Sequence, residues 1–502
     1  MKNKINILLI AALVFFSACG DDFLTVEPTE SQAAGGDATE GAIRANITSC
    51  YQILLFDSYA DNNYNSIVLM SDLRSDDIFK GGGDAGDQGN LLNLAELRAT
   101  PSALPEGLWT IYYSGIARCN NAILACDNAV DVSEENVDRY RSEALFLRAY
   151  YTHWLWKFWG NIPYFTDDIP EPYMATQYSA DEIYDFIMED IDKIMELDAL
   201  PERTNAQNHG RATLSAAKML KARVIMYQQD ESRYDEVVSD MAFVIEEAGY
   251  SLMDDFASIW PREGQFCDES IFEVNHLPGE YGGKTWDSGW HGFGTNLPAF
   301  ISPNDLEHDV YKGGWGFAPV RPETWEIFES GDERREASIN SFEEGTYIER
   351  WQNTGLFLAK YAARDGYNDP PGDVDLNYEN NLRIFRLAEA YLNYAEMIVM
   401  HGQTAQGLSA QDALDAIRER AGVDPIDATE ENIKHERRRE FIGEGMRFWD
   451  IVRWGDAHTL TEERPEFETS RTWEDYKKYL PIPLSEILRT EGEFELEQNP
   501  GY

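Results

Sequence analysis

Two stretches of this 502-residue sequence place aromatic side chains among glycines. They read EYGGKTWDSGWHGFGTN (280–296) and VYKGGWGF (310–317). Glycines leave room around a ring, and sugars offer flat C–H faces ringed by hydroxyls, which suit aromatic faces beside polar side chains. The pattern therefore predicts a carbohydrate site, with packing of these rings onto the rest of the protein as the alternative. The candidate residues are Tyr281, Trp286, Trp290, His291, Tyr311 and Trp315.

A second candidate is the polar, glycine-rich stretch SDLRSDDIFKGGGDAGDQGN (71–90). Asp76, Asp77 and Lys80 offer charged groups that could bond ligand hydroxyls. Aspartates before a turn also cap backbone N–H groups, so a structural role is the alternative for this stretch.

Patterns for catalysis or metal binding are weak. The 90 acidic residues make some carboxylate pair inevitable, so a glycosidase pair cannot be inferred. HExxH, GxSxG and P-loop patterns are absent, and the eight histidines are scattered. DVDLNYEN (373–380) begins like a calcium loop, but Tyr378 and Ile384 stand where that loop needs Gly and Glu. We therefore predict no catalytic residues, no metal site and no cofactor.

Charge and cysteine content exclude several classes of protein. A net charge of −48 argues against nucleic-acid binding, because a polyanion repels phosphates. Aromatic residues make up 13% of the chain, too many for a disordered protein. Cys119 and Cys126 lie on a predicted helix about 10 Å apart, beyond disulfide reach. We therefore expect free thiols at these positions and at Cys50 and Cys267.

The first residues form a leader. Lys2 and Lys4 precede the apolar run ILLIAALVFF (7–16), which covers only about 15 Å as a helix, half of a bilayer core of roughly 30 Å. A basic start, a short apolar core and small residues indicate a secretory signal peptide. FSAC resembles the bacterial lipobox, which predicts cleavage after residue 18 and lipidation of Cys19. A simple secreted protein is the alternative.

Helical periodicity dominates the rest of the chain. Several of these helices carry alanines among large apolar residues, as tetratricopeptide repeats do, although a generic bundle would show the same pattern. Two long stretches interrupt the helices, at 57–104 and 255–380, and the aromatic content of the second favours function. The predicted helices are 106–129, 134–160, 180–197, 212–228, 232–247, 382–402, 408–421 and 430–452.

Five segments in order resemble the SusD/RagB family. ERRREFIGEGMRFWDIVRWGDA (436–457) resembles its signature, and YLPIPLSEILRTEGEFELEQNPGY resembles its C-terminal ending. YRSEALFLRAYYTHWLWKFWGNIPYF, GRATLSAAKMLKARVIMY and LRIFRLAEAYLNYAEM resemble three of its helices. With the lipobox, the resemblance runs from residue 19 to 502.

The resemblance implies a mainly α fold, a tetratricopeptide-like helix-pair scaffold with a loop-rich ligand region. It implies a lipoprotein, anchored through Cys19 to the outer face of the Bacteroidetes outer membrane, whose partner is a SusC-type TonB-dependent transporter. Such a protein would bind oligosaccharides or polysaccharides and deliver them to that transporter. Binding of peptides or another nutrient is the first alternative, and a surface glycoside hydrolase is the second.

We divide the chain accordingly. The division gives a signal peptide (1–18), a lipidated tether (19–40), an N-terminal helical region with its 57–104 loop (41–254), an aromatic and glycine-rich loop region (255–381) and a C-terminal helical region with the signature (382–502). Within the signature, acids and bases surround packed aromatics, which indicates a structural role. Trp154, Trp156 and Trp159 are expected to be structural as well.

Overall fold

The computed structural model describes residues 36–60, 63–64, 66–167, 169, 174–287, 289, 291–368, 370–490, 492 and 496–502. The leader, Cys19 and Trp290 lie outside these residues, so the predictions made for them stay predictions. Among the described helices, none is both long and apolar enough to cross a bilayer.

Helices form most of the regular structure. The N-terminal helices are α1 Glu40–Gln52, α2 Ile67–Asp72, α3 Gly89–Ala95, α4 Gly107–Asp127, α5 Glu134–Trp159, α6 Ala180–Leu197, α7 Leu214–Gln228 and α8 Tyr234–Glu246. Short helices follow at α9 Leu297–Ile301, α10 Pro322–Glu326 and α11 Arg334–Ser338. The C-terminal helices are α12 Leu387–His401, α13 Ala410–Arg420, α14 Glu430–Phe441, α15 Arg447–Arg453 and α16 Leu484–Thr490.

The long helices pack in series. In space α1 lies on α4, α4 on α5, α5 on α6, α6 on α7, α7 on α8, α8 on α12 and α12 on α13. Each long helix contacts its neighbours in this order, as in helical-repeat proteins. The predicted helix-pair scaffold is confirmed. Its core holds the three tryptophans of α5, which are at most 2% exposed, so their predicted structural role is confirmed too.

Short strands pair two by two, all antiparallel. They are β1 Tyr59–Ala60 with β2 Asn63–Tyr64, β3 Ile162–Pro163 with β4 Gln177–Tyr178, β5 Ser270–Val274 with β8 Leu382–Arg386, β6 Ile339–Ser341 with β7 Leu356–Leu358, and β9 Glu462–Arg464 with β10 Thr469–Arg471. The β5–β8 pair ties the loop-rich region to the C-terminal helices.

Two helix predictions were wrong in part. Residues 382–386 form β8 instead of the first turns of a helix, because a short buried run has no periodicity that separates strand from helix. The predicted helix 430–452 breaks between Phe441 and Arg447. Gly443 and Gly445 adopt φ values of 76° and 74° there, a conformation that favours glycine.

The stretch 57–104 is not simply a loop. It contains α2 and α3, and residues 66–81 are buried except for Asp76. The thiols of Cys50, Cys119, Cys126 and Cys267 are free, as expected.

The signature helices α14 and α15 bury a network of charges. Glu440 accepts hydrogen bonds from Arg420 (2.6 Å), Arg386 (3.1 Å) and Arg334 (3.2 Å). Burial alone would raise the pKa of Glu440, but the three guanidinium groups outweigh it and hold the pKa well below its usual value. Four charged residues that meet in this way stabilise the join between β8, α11, α13 and α14, which confirms the structural role predicted for the signature.

Candidate functional site

The loop-rich region brings together two tryptophans from the two aromatic stretches. The rings of Trp286 and Trp315 stack with centroids 5.9 Å apart and planes 29° from parallel. Both side chains are half-buried, so part of each ring meets solvent. We call this pair the tryptophan platform.

Trp315 is held from behind. Its ring packs edge-on against Tyr64 (5.9 Å) and Phe300 (5.3 Å). Its indole N–H donates to Asp375 Oδ2 at 3.2 Å. A side chain at Gly314 would lie 2.2 Å from the Ala299 carbonyl oxygen, so only glycine allows the backbone to pass this closely. The orientation of the Trp315 ring is therefore fixed.

Trp286 is held by the turn 373–377, which also contains Asp375. Its backbone N–H donates to Asp373 Oδ2 at 2.8 Å. Nearby, the Asn377 side chain accepts from the Lys284 N–H (2.7 Å) and donates to the Lys284 carbonyl (2.9 Å). The turn 373–377 thus supports both tryptophans of the platform.

The support of the two tryptophans explains why the turn 373–377 contains acidic residues that resemble the start of a calcium loop. Asp373, Asp375 and Asn377 bond to N–H and carbonyl groups of the platform loops. Within the part of the chain that the structure describes, no three His, Cys, Asp or Glu side chains are grouped as metal ligands.

Lys284 fixes the first aromatic loop to the helical scaffold. Its amine is buried and donates to the Leu55 carbonyl at 2.8 Å, just after α1. Burial lowers the pKa of this amine to about 7, against the opposing effect of Asp57. The loop that carries Trp286 is thereby attached at its middle as well as at its ends.

The other predicted ring residues lie around the platform loops. Tyr281 is 59% exposed and His291 is exposed, both on the loop of Trp286. Tyr311 is half-buried, with its ring against Phe342 and under the Arg364 guanidinium at 4.9 Å. Tyr281 and His291 remain available to a ligand, whereas Tyr311 is largely engaged in packing.

The charged residues of the second candidate stretch are engaged in the scaffold. Asp76 accepts two hydrogen bonds from Arg447 (2.8 and 3.0 Å), and Asp77 is buried with one from Arg438 (2.8 Å). Lys80 is 1% exposed and donates to the Asp84 carbonyl. These contacts favour the structural alternative.

The glycine-rich end of that stretch does reach the platform. The Gly82 N–H donates to the Gly316 carbonyl at 2.8 Å, beside Trp315. Arg350 donates to the Trp315 carbonyl (3.1 Å), and its side chain and that of Asp87 are about one-third exposed. Sequence reasoning missed both residues: Arg350 lies outside the candidate stretches, and in the stretch 71–90 it chose Asp76, Asp77 and Lys80 over Asp87.

Comparisons with known proteins identify the family of this chain. Residues 335–502 match the model of the SusD family, and residues 22–226 match one described as "Starch-binding associating with outer membrane". Surface glycan-binding protein A from Bacteroides fluxus is 58% identical, over 93% of this chain and 100% of that one, with a TM-score of 0.89. The chain belongs to the SusD family. The resemblance stated from the sequence is thus confirmed.

Two further SusD-like structures carry information on ligands. Surface glycan-binding protein A from Bacteroides thetaiotaomicron, solved in complex with laminarihexaose, is 37% identical, with coverage of 92% and 100% and a TM-score of 0.87. A laminarin-binding SusD-like protein is 28% identical, with coverage of 93% and 100% and a TM-score of 0.82.

Proposed function

We propose that this SusD-family protein binds a laminarin-type glucan at the cell surface through the tryptophan platform. The observation that carries the proposal is the fixed, half-exposed pair of Trp286 and Trp315. Two similar proteins, one solved in complex with laminarihexaose and one that binds laminarin, support the choice of glucan.

The platform has the chemistry that a glucan needs. Its indole faces cover apolar C–H surfaces of sugar rings, and a ring that is already oriented loses little entropy on binding. Arg350 and Asp87, which form an ion pair at 3.9 Å beside Trp315, would supply a donor and an acceptor for sugar hydroxyls. Tyr281 and His291 lie on the loop of Trp286, and Trp290 stays a predicted contact.

We propose further that the protein is a lipoprotein of the outer membrane. Lipid on Cys19 would anchor it, and the tether 19–40 would lead to α1, which begins at Glu40. A SusC-type TonB-dependent transporter would receive the glucan, and the protein would release it unaltered. The description of the matched family model, with its association with the outer membrane, supports this placement.

A titration of residues 20–502 tests the ligand. Laminarihexaose, a malto-oligosaccharide and a peptide mixture are added separately while tryptophan fluorescence and calorimetry are followed. We expect binding of laminarihexaose, and its loss in Trp286→Ala. Trp325→Ala is the matched control. Trp325 lies on α10, outside the platform, and is a half-buried tryptophan whose ring contacts the Arg335 guanidinium.

Each other result has a defined meaning. Binding of the peptides alone would support the peptide alternative, and shortened sugars after incubation would establish a hydrolase. Equal affinity in Trp286→Ala and wild type would reject the platform. For the anchor, palmitate label should appear on the wild type but not on Cys19→Ala.

A further inference from the structure

A groove lies beside α1, and neither tryptophan of the platform lines it. It encloses about 570 Å³ between α1 and the turn 209–211. Leu54, Val274 and Leu277 line it with apolar surface, and Phe293 lies among its walls. Its volume is within the range of about 300–1,000 Å³ that small-ligand sites occupy.

The groove and the platform belong to one loop. The Leu277 N–H donates to the Phe293 carbonyl at 3.2 Å, so residues 277–293 form a loop whose two ends meet. Leu277 and Phe293, at the two ends of this loop, line the groove, and Trp286 lies within the loop. Lys284 also bonds to the carbonyl of Leu55, another residue of the groove. The two surfaces are therefore held in a fixed relation.

The walls of the groove suit a neutral, hydroxyl-rich chain. Phe293 is 38% exposed and offers a ring face. Gln52 and Asn275 provide uncharged donors and acceptors. The Arg211 guanidinium is held on the buried Glu143 carboxylate at 2.8 Å, so its charge is already compensated. An anionic ligand would gain little there, and the net charge of −48 opposes it further.

We infer that this groove is a second glycan subsite, which holds sugar units of the same chain beyond those on the tryptophan platform. The inference rests on the proposed function and extends it. A chain that reaches both surfaces pays the entropic cost of association once, so its affinity exceeds that of a short oligosaccharide. The protein would thus select long glucans.

The test compares ligand lengths in calorimetry. Laminaritriose, laminarihexaose and laminarin are titrated into wild type, Phe293→Ala and Ala45→Trp, which fills the groove from α1. We expect both variants to bind laminaritriose as wild type does and to bind laminarin about tenfold more weakly than wild type. Arg44→Trp, on the same helix but outside the groove lining, is the control and should keep wild-type affinity for all three.

The outcomes separate the groove from the platform. Trp286→Ala should weaken binding at every length. Wild-type affinity for laminarin in both groove variants would overturn the inference, and so would an equal loss at every length. If wild type binds none of the three, the proposed function fails and the groove inference falls with it. Thr48→Trp repeats the test if circular dichroism shows that Ala45→Trp is unfolded.

Discussion

The signature helices and the platform loops are built from the same types of residue and use them in opposite ways. In α14 and α15, arginines and carboxylates are buried and bond to each other, as at Glu440. In the platform loops, Asp373 and Asp375 bond instead to N–H groups of tryptophans whose rings are half-exposed. Charged and aromatic residues do not by themselves indicate a binding site.

The backbone decides between the two uses. A helix in the scaffold has neighbours on most sides, so its aromatics are enclosed and its charges must pair within the protein. In the loops, glycines such as Gly314 allow close backbone packing behind a ring while its front remains open. We therefore expect ligand contact at the glycine-rich aromatic stretches.

We expect the largest loss of folding free energy from Glu440→Ala, in the signature helices. Removing this carboxylate takes one buried partner from each of Arg334, Arg386 and Arg420, which costs about 3–5 kcal/mol of folding free energy. Chemical denaturation measures the loss. Glu196→Ala, which breaks an exposed pair with Lys193, should cost under about 0.5 kcal/mol. Similar values for the two variants would contradict the role given to the network.

Acid should act on the same helices. Burial raises the pKa of Asp450, but Arg437 and Arg453 outweigh it and lower the pKa from 3.8 to about 2. Its stabilisation is complete above pH 3.8 and is lost as the pH falls to about 2, a loss of roughly 2 kcal/mol. Thermal unfolding of wild type and Asp450→Asn between pH 5 and about 2 should converge. Parallel curves would refute this contribution.

Trp315→Ala should lower both the stability of the fold and the affinity for glucan. Loss of its packing against Tyr64 and Phe300 should cost about 2 kcal/mol of stability, less than for a fully buried tryptophan, and glucan affinity should fall about tenfold or more. Trp286→Ala removes the stacking on Trp315 but leaves the packing behind Trp315 in place, so it should lower affinity with a smaller loss of stability than Trp315→Ala. If Trp286→Ala destabilises the fold as much as Trp315→Ala, then Trp315 does not have the larger structural role that we give it.

The smallest effect is expected from Asp375→Ala. The indole N–H of Trp315 loses its acceptor, which should weaken glucan binding by about 1 kcal/mol while the fold persists. Asp375→Asn keeps an acceptor oxygen and should restore most of the affinity. Asp365→Ala, an exposed carboxylate nearby, is the control for charge. No difference between the Ala and Asn variants would exclude a positioning role for this carboxylate.

Much of the scaffold could be predicted from the sequence, because its long helices have clear periodicity; 180–197 matches α6 residue for residue. The strand β8 and the break after Phe441 depend on tertiary packing and on two glycines, which the helical pattern hides. The tryptophan stretches were visible, but the stacking of Trp286 on Trp315 was not, since the turn 373–377 that bonds to both residues lies far along the chain. Asp76 and Asp77 look like ligand groups until their arginine partners, more than 300 residues away, are known.

The shared turn under the two tryptophans has an evolutionary consequence. Because one short segment bonds to both tryptophans, we expect an insertion or deletion there to move both rings and to alter the surface that they form. The helical scaffold makes none of these contacts, so we expect such a change to alter the platform while the scaffold keeps its fold.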